Sequence, residues 1–292
     1  MTSRTGSARR IDLHTHSTAS DGTLSPAELV RAAADAGLDV FAITDHDTTG
    51  GWAPAVAALP PGLSLVRGAE LSCRWSGAHP AVPLHLLAYL FDPDHPELVA
   101  ELARVRAARE ERGERMVALL RADGIDVRWT DILAGAGGGT VGRPHIAQAL
   151  IRAGLVSSTR EAFGADWLGE RYRLPKEDID VFQAVRLVRA AGGVPVFAHP
   201  RATRRGRVVP DELIAELAAA GLAGLEADHE DHSPAEQAHV RALAAELGLL
   251  VTGSSDFHGT HKTVQLGAFT TGTEAYERIV AQAGGVTEVA SG

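Results

Sequence analysis

The chain has 292 residues, of which 45% are hydrophobic and 22% charged, a composition that excludes a mainly disordered or fibrous protein. The net charge of −9 argues against a surface that coats nucleic acid. No run of 18 apolar residues occurs, and Met1 to Arg10 is basic and polar, so we expect neither a membrane span nor a secretion signal. The single Cys73 excludes an internal disulfide and favours the cytoplasm.

Seven short apolar runs, each ending in polar residues, predict β-strands along the chain. They are Ile11–His16, Val40–His46, Leu63–Leu71, Pro83–Leu90, Val194–His199, Leu222–Asp228 and Leu249–Asp256. Ala- and Leu-rich amphipathic stretches lie between most of them, and several of these end at a glycine, as helices often do. Strands alternating with helices indicate βα units around a parallel sheet, and seven strands favour a barrel.

Residues 101–175 interrupt this alternation. Glu101–Arg121 is strongly helical in pattern, and a glycine-rich loop, Gly135–Gly142, precedes another helix near Pro144–Ala153. This segment holds 12 Arg against 10 Asp and Glu, a net charge of +2, which leaves −11 on the remainder. We expect a barrel domain of residues 1–100 and 176–292 with an inserted helical cap, residues 101–175, that recognises an anion. A helical decoration without a binding role is the alternative.

Histidines and acids cluster where the predicted strands end. His14 and His16 are two apart, so in a strand both point to one face, an arrangement that suits zinc or another transition metal. Asp256 and His258 repeat this spacing. The other candidates at or near strand ends are Asp21, Asp45, His46, Asp47, Glu70, His85 and His199. Six of the seven strands contribute, all but the sixth, and active sites of parallel barrels form at the C-terminal strand ends.

These motifs resemble the polymerase-and-histidinol-phosphatase (PHP) superfamily. The resemblance lies in HTH with an Asp five residues later, TDHD, GAE, an isolated strand His, AHP and SDFH, and it spans about Ile11 to Gly267. The words LHTHSTASDGTLSP and AITDHDT are most similar to its stand-alone nucleotide phosphatases, the type associated with tryptophan operons. The resemblance implies an α/β fold, a distorted seven-stranded barrel with a helical insertion after the fourth strand.

The resemblance also implies divalent metals, three per chain, with Mn²⁺ expected and Fe²⁺ or Zn²⁺ as alternatives. One metal would be surrounded by His14, His16, Glu70 and Asp256. A second would be bound by Asp21, His46 and His258, and a third by Glu70, His85 and His199. Three divalent ions carry more charge than the carboxylates among these ligands neutralise, so the site requires an anionic substrate.

The activity that the resemblance implies is removal of the 3′-phosphate from nucleoside 3′,5′-bisphosphates. Because bound metals generate hydroxide from water at neutral pH, we expect direct attack of a metal-bound hydroxide on phosphorus. The same site is expected to trim short 5′-phosphorylated RNA from its 5′ end. Tight binding of duplex nucleic acid and association with membranes are not expected. The alternatives are a histidinol-phosphate phosphatase, from the same superfamily, and a non-catalytic metal-binding module.

Two aspartates and two cap residues are candidates for catalysis and substrate binding. Asp45 and Asp47 flank His46, and we expect one of them to orient a metal ligand. The alternative role for Asp47 is protonation of the leaving oxygen. Arg143 and His145 open a predicted helix behind the glycine-rich loop, where free backbone N–H groups favour phosphate. A surface position for Arg143 is the alternative.

Three further residues are candidate substrate contacts. Arg201 directly follows His199 and Pro200, although in the family an arginine often lies slightly further on, which leaves Arg204 or Arg205 as alternatives. His229 and His232 belong to the DHEDH loop after the sixth strand, and a solvated polar loop explains them equally well.

Overall fold

The computed structural model describes residues 9–136 and 139–292. Residues 1–8, which carry most of the prediction that no secretion signal is present, lie outside these ranges. Gly137 and Gly138 of the predicted glycine-rich loop also lie outside them. Within them no helix combines the length and apolar character needed to cross a bilayer.

The described residues form nine strands and ten α-helices. The strands are β1 (Ile11–Asp12), β2 (Val40–Ile43), β3 (Ser64–Trp75), β4 (Val82–Tyr89), β5 (Ile179–Asp180), β6 (Val194–Ala198), β7 (Gly224–Asp228), β8 (Leu250–Gly253) and β9 (Ala290–Ser291). The helices are α1 (Pro26–Asp35), α2 (Trp52–Val56), α3 (Pro96–Ala122), α4 (Trp129–Gly135), α5 (Arg143–Arg152), α6 (Thr159–Ala162), α7 (Val181–Ala190), α8 (Asp211–Ala219), α9 (Pro234–Leu247) and α10 (Thr273–Gln282). Thr203–Arg205 and Gly259–His261 are 3₁₀ turns. All seven predicted strands are therefore present.

The sheet is a nearly closed barrel with the strand order β1-β2-β3-β4-β6-β7-β8. The two-residue strands β5 and β9 both pair with β3. A parallel bridge between Thr15 and Phe257, just beyond β1 and β8, brings the two edges together. The expectation of a distorted seven-stranded barrel is confirmed.

Strand β4 departs from the predicted parallel arrangement. It runs antiparallel to both β3 and β6, whereas the other neighbouring pairs along the barrel are parallel. Only residues 76–81 separate β3 from β4, and a parallel pair needs a crossover of a dozen or more residues. His85 therefore lies in the first half of β4, level with Ser72 of β3 and Ala198 of β6, rather than at a C-terminal strand end.

Local sequence explains where the helices begin and end. The Ser25 side chain caps α1 in a capping box with Glu28, and Pro26 occupies the first turn. Helix α9 begins in the same way and ends at Gly248, whose φ of 67° is the left-handed conformation that glycine adopts without strain.

Helix α3 joins the barrel to the inserted helices. It begins at Pro96, earlier than predicted, and its first half packs into the barrel core through Leu98, Leu102 and Val105. Its second half packs with α4, α5 and α6 on a separate apolar cluster that includes Met116 and Leu120. One continuous helix thus spans both cores.

Candidate metal centre

The predicted ligands meet at one end of the barrel in three groups of converging side-chain atoms. Within each group the ligand atoms lie within 4.8 Å of one another. The groups are His14, His16, Glu70 and Asp256; His16, Asp21, His46 and His258; and His46, Glu70 and His85. The structure therefore brings eight of the nine predicted ligands into three overlapping groups, and the ninth, His199, lies beside the third.

Glu70 lies at the middle of the cluster. Its side chain is only 2% exposed and approaches five imidazoles through its two oxygens. The Oε1 atom lies 2.8 Å from His85 Nδ1 and 3.2 Å from His199 Nε2. The Oε2 atom lies 3.1 Å from the Nε2 atoms of His14 and His16 and 3.4 Å from His46 Nδ1. A single carboxylate thus touches every group.

Strained backbone places two of these side chains. His199 follows β6 with φ of 33°, and Asp256 follows β8 with φ of 52°. Non-glycine residues rarely adopt such angles, and they persist where the surrounding structure imposes them, most often at functional sites. Asp256 is held by Lys262, whose Nζ lies 2.5 Å from Oδ2, and by Arg205, whose guanidinium lies 2.8 Å from the same oxygen.

Charge stabilises the ionised carboxylates. Burial opposes the ionisation of Asp21, Glu70 and Asp256, but facing imidazoles, and Lys262 in the case of Asp256, outweigh it and hold each pKa well below its usual value. All three carboxylates are therefore negatively charged at neutral pH.

The imidazoles divide into two classes. Burial lowers the pKa of His46, His199 and His258, the last to about 4, so these rings are neutral at pH 7 and offer lone pairs. Burial also acts to lower the pKa of His14 and His16, but the carboxylates around them outweigh it and raise the pKa, for His16 to about 9. A cation bound between these rings would take the place of the proton.

Unpartnered atoms show that the cluster fits metal ions. The buried atoms His46 Nδ1, His85 Nδ1 and Asp256 Oδ1 find no hydrogen-bond partner among the described residues. His85 Nδ1 lies close to Glu70 Oε1, but without hydrogen-bond geometry. Buried polar atoms are nearly always paired in proteins, whereas ligands of a shared cation face it instead of each other. Imidazole and carboxylate together suit Mn, Fe or Zn.

Comparison with known proteins identifies the family. A PHP domain model matches residues 12–105. The chain is 35% identical over 263 residues to the 5′-3′ exoribonuclease of Haemophilus influenzae, an alignment that covers 89% of this chain and 93% of that protein. The chain belongs to the PHP family. The PHP protein is also 35% identical over 263 residues to the 3′,5′-nucleoside bisphosphate phosphatase of Chromobacterium violaceum, covering 85% and 87% of the two chains.

A solved PHP-like structure agrees over nearly the whole chain. A protein from Bifidobacterium adolescentis described as a metal-dependent phosphoesterase superposes with a TM-score of 0.88 and 36% identity, covering 95% of this chain and 97% of that one. This PHP protein is therefore an enzyme, a metal-dependent phosphoesterase, as the motifs predicted.

Glu226 contacts two of the predicted ligands of this PHP centre, and the sequence analysis missed it. Strand β7 is the sixth of the predicted strands, the one from which no metal ligand was expected, yet it carries this fully buried carboxylate. Its Oε1 lies 3.0 Å from His14 Nδ1, and its Oε2 accepts a hydrogen bond of 2.9 Å from the backbone N–H of His199. Such a partner fixes the tautomer of a metal-binding imidazole. The signal was an acid within an apolar run, which is costly to bury without a partner.

The arginine that faces the PHP centre is Arg205 rather than Arg201. Arg201 is buried and directs its guanidinium to the carbonyl of Val209 and the carboxylate of Asp211, away from the ligands. Arg205 contacts Asp256 and lies 3.1 Å from His199 Nε2. The alternative left open in the sequence analysis therefore fits the structure, and the 3₁₀ turn after β6 explains the offset.

The two histidines of the DHEDH loop lie in different environments. His229 accepts a hydrogen bond from the N–H of Asp231 at Nδ1, so in the neutral ring its Nε2–H points to Asp256 Oδ2, 3.1 Å away. His232 contacts the carbonyl of Ala227 through Nδ1 and accepts from the N–H of Arg201 through Nε2. Both nitrogens of His232 are engaged by backbone groups, of β7 and of the segment after β6, which leaves neither for substrate.

Asp45 and Asp47 are also engaged within the protein. Asp45 accepts hydrogen bonds from the backbone and hydroxyl of Ser17 and from the hydroxyl of Ser20, and so shapes the loop that carries Asp21. Asp47 accepts from Ser72 and is paired with Arg109. These contacts argue against either carboxylate delivering a proton to a leaving group.

Arg143 and His145 lie at the start of α5, as predicted. Arg143 donates to the carbonyl of Leu168, and its guanidinium lies 5.4 Å from the centre of the Phe163 ring. His145 accepts from the N–H of Gly142 through Nδ1, and burial lowers its pKa, so the neutral ring presents Nε2–H as a donor. Neither side chain is a simple surface group.

Proposed function

We propose that this phosphoesterase removes the 3′-phosphate from nucleoside 3′,5′-bisphosphates and trims short 5′-phosphorylated RNA from the 5′ end. The observation that carries the proposal is a cationic group, mostly from the insertion, whose Arg173 and Lys176 line the same cleft as the predicted ligands His85 and His199. The names of the Haemophilus and Chromobacterium relatives support both activities. We also propose the barrel of residues 1–100 and 176–292 as the catalytic domain and residues 101–175 as the substrate-recognising cap.

The nine predicted ligands would hold three divalent ions, with Mn²⁺ as the expected metal and Fe²⁺ or Zn²⁺ as alternatives. Bound there, the metals would lower the pKa of water towards roughly 7 and withdraw charge from the phosphate. The protein contributes the fixed ligand positions, with Glu226 orienting His14, and Arg205 and His229 as donors beside Asp256.

The cationic group suits a second phosphate. Arg112, Arg143, Arg173 and Lys176 lie near one another, and the main acid close to them is Asp178. Burial and the neighbouring guanidinium of Arg112 lower the pKa of Arg143 to about 10, so it stays charged at pH 7 and is stabilised when an anion arrives. Guanidinium groups bind phosphate bidentately, which suits the 5′-phosphate of the substrate.

A cleft connects the metal centre with the cationic group. It has a volume of about 420 Å³, within the range of nucleotide-sized ligand sites. Apolar walls from Pro83, Phe197 and Val209 alternate with the polar side chains of His85, His199, Arg173, Lys176, Arg205 and Arg207. We place the nucleoside here, between the scissile 3′-phosphate at the metal centre and the 5′-phosphate at the cap.

The first experiment incubates the metal-loaded protein with adenosine 3′,5′-bisphosphate and Mn²⁺ and identifies the nucleotide product by chromatography. We expect inorganic phosphate and 5′-AMP. Formation of 3′-AMP, or no release by protein with measured bound metal, overturns the proposal. Histidinol phosphate serves as the competing substrate, and a higher kcat/KM for it would support the histidinol-phosphate alternative instead.

Variants connect the activity to the centre. Asp256→Ala or His46→Ala is expected to abolish turnover while circular dichroism shows an intact fold, and near-normal turnover by either variant contradicts the ligand set.

Short RNA carrying a 5′-phosphate should lose mononucleotides stepwise, whereas the matching 5′-hydroxyl RNA and a duplex should be poor substrates.

A further inference from the structure

Asp47 occupies an unusual position in the backbone. It directly follows the ligand His46, is completely buried, and has φ of 55°, a left-handed conformation that non-glycine residues rarely adopt. Surrounding contacts must hold the chain in this conformation. Those contacts connect it to every member of the His46–Glu70–His85 group.

The contacts run through the backbone and through Ser72. The N–H of Asp47 donates to the carbonyl of Glu70 at 3.1 Å. Its carboxylate accepts from the N–H of Ser72 at 2.7 Å and from the Ser72 hydroxyl at 2.9 Å. Ser72 is in turn paired across the sheet with His85. Asp47 is thus the chain neighbour of His46, is hydrogen-bonded to Glu70, and is connected to His85 through Ser72.

Helix α3 grips this residue from outside the barrel. Arg109 donates to Asp47 Oδ2 at 2.6 Å and also contacts the hydroxyl of Ser72, while Arg106 donates to the Asp47 carbonyl at 2.6 Å. The helix is rooted in the barrel core at one end and in the core of the inserted helices at the other. The grip therefore links the insertion to the ligand group.

We propose that Arg109 is a positioning residue for the metal centre, which fixes His46, Glu70 and His85 by holding Asp47 in its left-handed conformation. Arg109 touches none of the three ligands and acts only through Asp47 and Ser72. The inference rests on the proposed ligand set but not on a nucleotide substrate, so p-nitrophenyl phosphate is a sufficient probe of turnover.

The test compares Mn²⁺ binding by Arg109→Gln, Arg109→Lys and Arg115→Gln with that of the unchanged protein. Lysine keeps a cationic donor, and Arg115 is an exposed arginine on the same helix. Elemental analysis after gel filtration gives the metal stoichiometry, and titration gives the affinity. We expect Arg109→Gln to lower the affinity for the most weakly bound Mn²⁺ by about 10- to 100-fold, as the loss of a residue that orients metal ligands does. Arg109→Lys should keep most of the Mn²⁺ affinity of the unchanged protein, and Arg115→Gln should change neither the affinity nor the stoichiometry.

A second variant separates positioning from a folding defect. Asp47→Asn keeps the size of the side chain and an oxygen that accepts from Ser72, but loses the ion pair with Arg109. It should lower the Mn²⁺ affinity in the same way. Excess Mn²⁺ should restore kcat, and KM for p-nitrophenyl phosphate should change little. Unaltered stoichiometry and affinity in both variants would overturn the proposal. Absence of bound metal in the unchanged protein would overturn the ligand set itself.

Discussion

Replacement of Glu226 by glutamine tests how the protein orients its metal ligands. The carboxylate accepts from both His14 Nδ1 and the N–H of His199, and an amide of the same shape accepts only one of these bonds. If the amide nitrogen faces His199, two donors oppose each other, and a buried unsatisfied donor costs about 1–3 kcal/mol. If the amide nitrogen faces His14, the ring must carry its proton on Nε2, the atom that faces the other ligands.

Both arrangements predict weaker metal binding. A penalty of about 1–3 kcal/mol corresponds to roughly 5- to 150-fold in affinity, which agrees with the 10- to 100-fold losses typical when such partners are removed. Calorimetric titration of the metal-free variant with Mn²⁺ measures the loss, and kcat at saturating Mn²⁺ should recover most of its normal value. Glu216→Gln, at an exposed position on α8, is the matched control. Unchanged Mn²⁺ affinity in the Glu226 variant would refute the reasoning.

Three further predictions, on Arg143, on pH and on the Arg201–Arg205 pair, give separable results. Arg143→Ala should raise KM for a nucleoside bisphosphate at least tenfold more than for p-nitrophenyl phosphate, and equal effects would remove it from substrate recognition. Burial opposes protonation of His16, but Asp256 and its neighbours raise the pKa to about 9, so Mn²⁺ affinity should rise from pH 6.5 to 9 as the competing proton is lost; a flat profile contradicts this. Arg205→Leu should lower kcat about 100-fold at little cost in stability, whereas Arg201→Leu should lower Tm and spare kcat; the reverse pattern would return Arg201 to the site.

The alternation of apolar runs and helices was sufficient to predict the barrel. All seven strands were visible because buried strands read as short hydrophobic runs with polar ends. The direction of β4 was not predicted, because period and composition are the same for both directions. Only the short connection 76–81 carried that information, and the boundary of β3 had to be known to use it.

Most of the predicted ligands were visible because they are costly polar residues within or at the edge of an apolar run. Residues that support them through space leave a weaker trace. Arg109 belongs to a helix rich in arginine, and Lys262 lies in a loop, so nothing in the sequence separates them from solvent-exposed cations. Arg201 and Arg205 differ only in how a 3₁₀ turn directs them, which sequence spacing cannot resolve.

Overlap among the three ligand groups has a consequence for mutational studies of this enzyme. Each pair of groups has one residue in common: His16 for the first and second, His46 for the second and third, and Glu70 for the first and third. The loss of one shared residue therefore damages two groups at once, and a second loss adds little to a centre already disabled. Effects of double substitutions at these positions should fall well short of the sum of the single effects, as they do for residues that act as a unit.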